Sequence, residues 1–235
     1  MPIALRAALL AAWGTAYLQD AVSLELAVAE VEGEDEPHLW TREPTAGPDE
    51  IGEGLAALKA EGVSALRLSL PVPGDPLGLT GPVETNLAAL AAGEAVVTVG
   101  DRGSSWAGPH GCRAIVPSIT AFGTPGDRGH CVTWRSMPAA STLPDVPVLG
   151  EADRELTQAM REATAALASL SAQSWRPGTA QTVDRLRGFG RDMRLPHHVG
   201  ARADSLVRRA ISVLTMLEAA RADDGDAITA HVAHA

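Results

Sequence analysis

The spacing of apolar residues predicts helices along the first third of the chain. The first helix has apolar positions about one turn apart, at Leu5, Leu9, Ala12 and Ala16. Residues 20–33 fit both a strand and a helix, and Ser23 as an N-cap together with Gly33 as a stop favours the helix. A third helix is predicted around Leu55 and ends near Gly62.

Residues 63–99 carry the strongest local pattern, and the rest of the prediction is arranged around them. Ala65–Leu70 reads as a buried strand, and the Pro/Gly-rich segment 71–82 reads as a loop that holds its shape. Val83–Ala92 is predicted as a helix and Ala95–Val99 as a second strand. Because both strands are apolar on both faces, we expect them to be central parallel neighbours joined by a right-handed crossover.

The remainder of the chain changes from strands to helices. Ala114–Phe122 and Cys131–Met137 predict a β-hairpin with a longish loop. Residues 139–150 form a Pro-rich linker, and beyond it the apolar residues recur at helical spacing. The predicted helices of this second part are 151–172, 179–189 and 201–222.

Together these elements predict two domains. Residues 1–138 are expected to form an α+β or α/β domain around a mixed sheet of four to five strands, and residues 151–235 an all-helical domain. With 235 residues and 46% apolar residues the chain has enough material for two buried cores, which excludes an intrinsically disordered protein.

The net charge of −10 is distributed unevenly. Residues 1–150 carry eight Arg and Lys against eighteen Asp and Glu, whereas residues 151–235 carry eleven of each. Within the second part, residues 176–209 hold eight arginines and three aspartates. This Arg-rich segment either faces the acidic first half or presents its arginines to an acidic partner, and the sequence leaves both open.

The arginines of this segment are candidate partner-binding residues. We assign that role to Arg185, Arg187, Arg191 and Arg194. Nucleic acid is a poor candidate partner, because the acidic first half would repel phosphates.

Cysteine use and hydropathy place the chain in a reducing, aqueous compartment. The sequence has two cysteines and no convincing secretory pattern, although the apolar run after Arg6 imitates one. No run approaches the roughly 18 apolar residues of a membrane span. We therefore expect a cytoplasmic protein without a membrane anchor.

The candidate metal and phosphate sites do not match the spacing that such sites need. His110, Cys112, His130 and Cys131 are potential soft-metal ligands, but their pairs lack the C-x₂₋₄-C or H-x₃₋₅-H spacing of zinc sites. The glycine-rich loop that begins at Gly100 lacks the lysine and the following helix of a phosphate-binding loop. We predict no metal and no cofactor.

The loop 71–83 is the better candidate for a ligand. It follows a strand and precedes a helix, where open α/β sheets tend to bind ligands. Asp75 and Asn86 are its candidate ligand-binding residues, and a rigid structural turn is the alternative interpretation.

Three strings of the sequence carry a resemblance to known proteins. They are LRLSLPVPGDPLGLTGP, AAGEAVV and, near the end, LEAARADDGDAITAHVA. They are similar to hypothetical proteins of high-GC actinobacteria, an uncharacterised family. That resemblance implies no activity and therefore no site residues.

Distinct acidic and Arg-rich regions, without a catalytic motif in the sequence, favour a non-catalytic protein-interaction or regulatory module. The alternative is a small-molecule-binding protein or an enzyme that uses the 71–83 loop. Whether the chain is an enzyme stays open at this point.

Overall fold

The computed structural model of the chain divides into two compact units, residues 1–145 and 146–235. The residues that the structure describes are 5–33, 37–42, 47–74, 79, 81–100, 111–124, 127–139, 147–169 and 194–214. In unit 1 the described helices are α1 Leu5–Leu18, α2 Leu24–Glu32, α3 Ile51–Ala60 and α4 Val83–Ala92. Its strands are β1 His38–Thr41, β2 Asp49–Glu50, β3 Val63–Ser69, β4 Ala95–Gly100, β5 Arg113–Thr124 and β6 Asp127–Pro138.

Unit 1 is an α+β domain around one mixed sheet. The strand order is β2-β1-β6-β5-β4-β3, with β1 and β6 parallel and every other neighbouring pair antiparallel. The expectation of four to five strands is therefore wrong, because the two-residue β2 pairs with β1 and adds a sixth strand. The mixed character of the sheet is confirmed.

The two faces of the sheet carry buried clusters of different composition, because alternate residues of a strand point to opposite faces. The aromatic face lies under α1, α2 and α3 and contains Trp13, Trp40 and Trp134. The alanine face lies under α4 and includes Ala89, Ala95 and Ala114 in its buried cluster, with Cys112 and Met137. Unit 1 is thus a sheet with helices on both faces.

The strands β3 and β4 are neighbours as expected, but the expectation of a parallel pair at the centre is wrong. They pair antiparallel, with Ser69 opposite Ala95, and β3 is the last described strand in the order. The first turn of α4 is bound to the other end of the sheet, where the Thr85 hydroxyl donates to the Pro138 carbonyl over 2.8 Å. Because the start of α4 is held at Pro138 while β4 begins beside the end of β3, α4 brings the chain back to the end where β3 finished.

Several local predictions are confirmed. Ser23 is the N-cap of α2 and its hydroxyl accepts from the Leu26 N–H, while Gly33 ends that helix. The helix Val83–Ala92 ends at Gly93 in the left-handed conformation, φ 73°. The hairpin of β5 and β6 is present with longer strands than expected, since pairing continues to Thr124 opposite Asp127.

The described part of unit 2 contains two helices, α5, Leu149–Ser169, and a further helix over residues 201–214. The two are joined by ion pairs of Asp153 with Arg202, at 3.6 Å, and with Arg209. The expected helix 179–189 lies outside the described residues.

Candidate functional site

The outward face of α4 is apolar. Val83, Leu87 and Leu90 are 75%, 60% and 36% exposed, and their spacing of four and three residues places them on one side of the helix. The opposite side buries the small residues Thr85 and Ala89 against the alanine face. Exposed apolar side chains in a row on one side of a helix are typical of contact surfaces, so this stripe is a candidate contact surface.

The edge of the sheet at β3 is covered by side chains of α1 and of the residue that follows it. The Thr15 hydroxyl accepts from the Leu66 N–H at 2.9 Å and contacts the Leu66 carbonyl as a donor at 3.2 Å. Gln19 donates to the Ser64 carbonyl at 3.4 Å. The backbone of β3 is thus engaged at Ser64 and Leu66 on the side away from β4, which hinders the addition of a strand from another chain.

The edge at the other end of the sheet is protected differently. The strand β2 has only two residues, Asp49 and Glu50, and both are acidic. Short, charged edge strands are poor templates for further pairing. The helix face of α4 is therefore more open to a partner than either edge.

A cleft of about 270 Å³ lies beside the amino end of α4. Three elements line it, because the parallel pairing of β1 with β6 brings the carboxyl ends of both strands next to the first turn of α4. The lining residues are Thr41, Arg42, Pro82, Glu84, Thr85, Arg135, Ser136, Met137 and Pro138. Two arginines, one glutamate and several apolar residues are thus among those that line the cleft.

The two arginines of the cleft differ in their surroundings. Arg42 pairs with Asp49 at 3.3 Å, and both side chains are more than a third exposed. Arg135 is exposed and has no ion-pair partner among the residues that the structure describes. Neither arginine was among the candidate residues, since they are far apart in sequence and only the β1–β6 pairing brings them together.

The predicted ligand residues are only partly described. Asp75 lies outside the described residues. Asn86 is half-buried, and its Oδ1 accepts from the Gly81 N–H at 3.2 Å, so its side chain ties the end of the 71–83 loop to α4.

The predicted partner-binding arginines are described at one position. Arg185, Arg187 and Arg191 lie outside the described residues, and Arg194 is exposed. Three further arginines of the same segment form ion pairs inside unit 2, namely Arg202, Arg208 and Arg209. The hydrogen bond from Arg209 is the main cause of the lowered pKa of Asp153, and Arg202 contributes. Part of the Arg-rich segment therefore stabilises the helical unit itself.

The predicted soft ligands do not meet in the described structure. Cys112 is buried, its Sγ donates to the Thr98 carbonyl at 3.2 Å, and burial raises the pKa of its thiol. Its partner in sequence, His110, lies outside the description. Within the described ranges, no group of three or more His, Cys, Asp or Glu side chains is placed to hold a metal ion.

One buried ionisable group was missed by the sequence interpretation. Glu94 is fully buried, and its Oε2 accepts from the Ala7 N–H at 2.9 Å in the first turn of α1. Burial raises its pKa from 4.5 to about 7, against the lowering effects of this hydrogen bond and of the Arg6 charge. The positive end of the helix dipole favours a carboxylate at a helix amino end, whereas burial disfavours its charged form.

Among the helices that the structure describes, none is both long enough and apolar enough to cross a membrane.

Comparison with known proteins assigns the chain to a family. The model for the N-terminal domain of the Rv1486c-like protein matches residues 7–148, and the model for its C-terminal domain matches residues 150–235. No curated protein and no solved structure matches the chain. The resemblance to a family without a known activity is thereby confirmed, and the chain belongs to the Rv1486c-like protein family.

Proposed function

We propose that this protein is a cytoplasmic, non-catalytic interaction protein and that the outward face of α4 docks a helix of its partner. The observation that carries the proposal is the stripe of Val83, Leu87 and Leu90, which leaves the largest apolar side chains of α4 in solvent. Burying such side chains contributes roughly 1.5–3 kcal/mol each when the contact is complete.

The architecture of the sheet supports docking of a helix over addition of a strand. Thr15 engages the free edge of β3, and β2 is too short to extend the sheet far. An apolar stripe at helical spacing suits an amphipathic helix, whose own apolar residues would lie along it.

The charge of unit 1 indicates which kind of helix fits. Residues 1–145 carry eight Arg and Lys against eighteen Asp and Glu. A partner helix flanked by Lys or Arg is attracted by that field, whereas an acidic one is repelled. We therefore propose a basic amphipathic helix as the occupant of the α4 face.

The proposed location has its own support. Cys112 and Cys131 are both free thiols, which suits a reducing compartment such as the cytoplasm.

Two predictions from the sequence stay open beside this proposal. An acidic partner for Arg185, Arg187, Arg191 and Arg194 is a separate contact, made by the second unit. Ligand binding by Asp75 and Asn86 on the 71–83 loop is the alternative function, although the Asn86 amide oxygen already holds the Gly81 N–H.

The experiment places a photo-crosslinking amino acid at Leu87 in the full chain, expressed in its native cell. The matched control places it at Leu26, an apolar residue of α2 that is 44% exposed. We expect a cross-linked peptide from another protein, with apolar residues at helical spacing and Lys or Arg beside them. The product should form at position 87 alone and be reduced by Leu90→Gln.

Three outcomes would overturn the proposal. A cross-link to a second copy of this chain would make the stripe a self-association surface. A cross-link to residues 146–235 of the same chain would make it internal. The same product from position 26 would show that the contact is nonspecific.

A further inference from the structure

We propose that the cleft beside α4 binds a small organic oxyanion, a carboxylate or a phosphate monoester carried on an apolar body. Arg42, Arg135 and the first turn of α4 line this cleft. This site is separate from the α4 stripe and does not depend on the interaction proposed above.

Two arginines give the cleft a positive charge. Arg135 lines the cleft, is exposed and has no ion-pair partner among the described residues, so its guanidinium is available to a ligand. Arg42 is held by Asp49 in a solvent-exposed pair, the kind whose net stabilisation is small. Two planar guanidinium groups match the planar or tetrahedral oxygens of carboxylates and phosphates.

The backbone at the amino end of α4 also favours an anion. Pro82 occupies the N-cap position of α4 and provides no side-chain hydrogen bond to the helix. The N–H groups of the first turn have no partner within the helix, and the positive end of the helix dipole lies there. The bond from the Thr85 hydroxyl to the Pro138 carbonyl keeps this end of the helix against β6, beside the cleft.

Part of the cleft lining is apolar. Pro82, Met137 and Pro138 line the cleft beside the charged groups. Its volume of about 270 Å³ is near the lower limit of ligand pockets, which is roughly 300 Å³. The cleft therefore suits a ring-sized apolar body with a single anionic group.

Glu84 is the one carboxylate that lines the cleft, and it opposes an anion. Its charge lowers affinity and disfavours ligands with several negative charges. Removing the Glu84 charge should therefore tighten anion binding, whereas removing the Arg135 charge should weaken it.

The test is a titration of the full chain by isothermal calorimetry at low salt. The probes are benzoate and phenyl phosphate, which separate the carboxylate and phosphate sources of the same chemistry. Benzyl alcohol supplies the ring without the charge, and inorganic phosphate supplies the charge without the ring. We expect at least one aryl anion to bind about tenfold more tightly than either control probe.

Three variants locate the binding in the cleft. Arg135→Gln should weaken the aryl anion by about tenfold, and Glu84→Gln should tighten it by about threefold. Arg161→Gln removes the same charge from an exposed position on α5 and should change nothing. Circular dichroism verifies that each variant is folded.

Equal binding by the natural chain and Arg135→Gln would overturn the assignment, and so would binding of benzyl alcohol as tight as that of the anions. Unchanged or weaker binding by Glu84→Gln would also contradict it. Leu87→Gln should leave anion binding intact while it abolishes the helix contact, so failure of one proposal is distinguishable from failure of the other.

Discussion

The aromatic face and the alanine face of the same sheet differ in how much surface they bury. Under α1, α2 and α3, three tryptophans interlock with aliphatic side chains, and Trp134 is fully buried. Under α4 the cluster consists largely of alanines with Met137 and Cys112. Because stabilisation by burial grows with apolar area, most of it resides on the aromatic face.

The difference between the two faces determines where the fold exposes surface that a partner or ligand can contact. On the alanine face, small side chains let α4 approach the sheet closely, and the larger side chains Val83 and Leu87 point away from it. The cleft with Arg42 and Arg135 lies at the same helix. Stability is concentrated on one side of the sheet and the proposed binding surfaces on the other.

The comparison predicts a large asymmetry between core truncations. Trp134→Ala should cost about 3–5 kcal/mol of unfolding free energy, because it leaves a large cavity in a rigid core. Met137→Ala on the alanine face should cost about 2 kcal/mol, since fewer contacts are lost. Denaturant unfolding followed by circular dichroism measures both, and equal losses would contradict the asymmetry.

The buried Glu94 predicts a pH dependence confined to the interface of α1 with the sheet. Its pKa is raised from 4.5 to about 7 in the folded chain, so the folded state binds the proton more tightly than the unfolded one. Its favourable contribution is complete below pH 4.5 and is lost as pH rises to about 7, a change of roughly 3 kcal/mol.

Glu94→Gln tests this dependence. The amide keeps an acceptor for the Ala7 N–H but does not ionise, so the unfolding free energy of the variant should gain on that of the natural chain between pH 4.5 and 7. Unfolding curves at a series of pH values provide the measurement. A constant difference between the two proteins over that range would refute the assignment.

Two glycines of α3 differ in how closely they approach the side chains of the aromatic face. A Cβ at Gly54 would lie 2.2–2.7 Å from atoms of the Trp40 indole, which is itself buried. Gly54→Ala should therefore destabilise the protein by about 1–3 kcal/mol. Gly52→Ala meets only Val28 at 3.5 Å and Leu24 beyond, and should stabilise the helix by up to about 1 kcal/mol. Opposite signs in thermal unfolding are the expected result.

A further small effect concerns the hydroxyl at the β3 edge. Thr15→Val removes both hydrogen bonds to Leu66 and should cost about 1–2 kcal/mol. Thr15→Ser keeps the hydroxyl and should cost less. Hydrogen exchange at the Leu66 amide should accelerate in the valine variant, and unchanged exchange would show that the bond contributes little.

Local signals in the sequence were sufficient for most of the elements. Ser23 and Gly33 resolved an ambiguous segment into α2, and Gly93 marked the end of α4. The direction of β4 was predicted wrongly, because apolarity on both faces of a strand does not distinguish a parallel neighbour from an edge strand covered by a helix. The contacts that fix the direction, such as Thr85 with Pro138, join residues far apart in sequence.

The candidate surfaces were hidden for related reasons. The spacing of Val83, Leu87 and Leu90 was visible, but an apolar stripe in sequence does not reveal which side of a helix faces the sheet. The alanines at positions 88, 89 and 92 also form an apolar side of the helix, and it is this side that packs against the sheet. The Arg42 and Arg135 cleft required the β1–β6 register, which no local pattern contains.

The contact between Thr15 and Leu66 also bears on the order in which the chain is made. The two residues are 51 positions apart, and the helix that carries Thr15 leaves the ribosome first. Because nascent chains fold from the amino end, the group that closes the outer strand is already present when β3 emerges. When several ribosomes translate one messenger RNA, the nascent copies lie close together. The free edge of β3 in each copy can then be occupied by Thr15 of the same chain before another copy pairs with it.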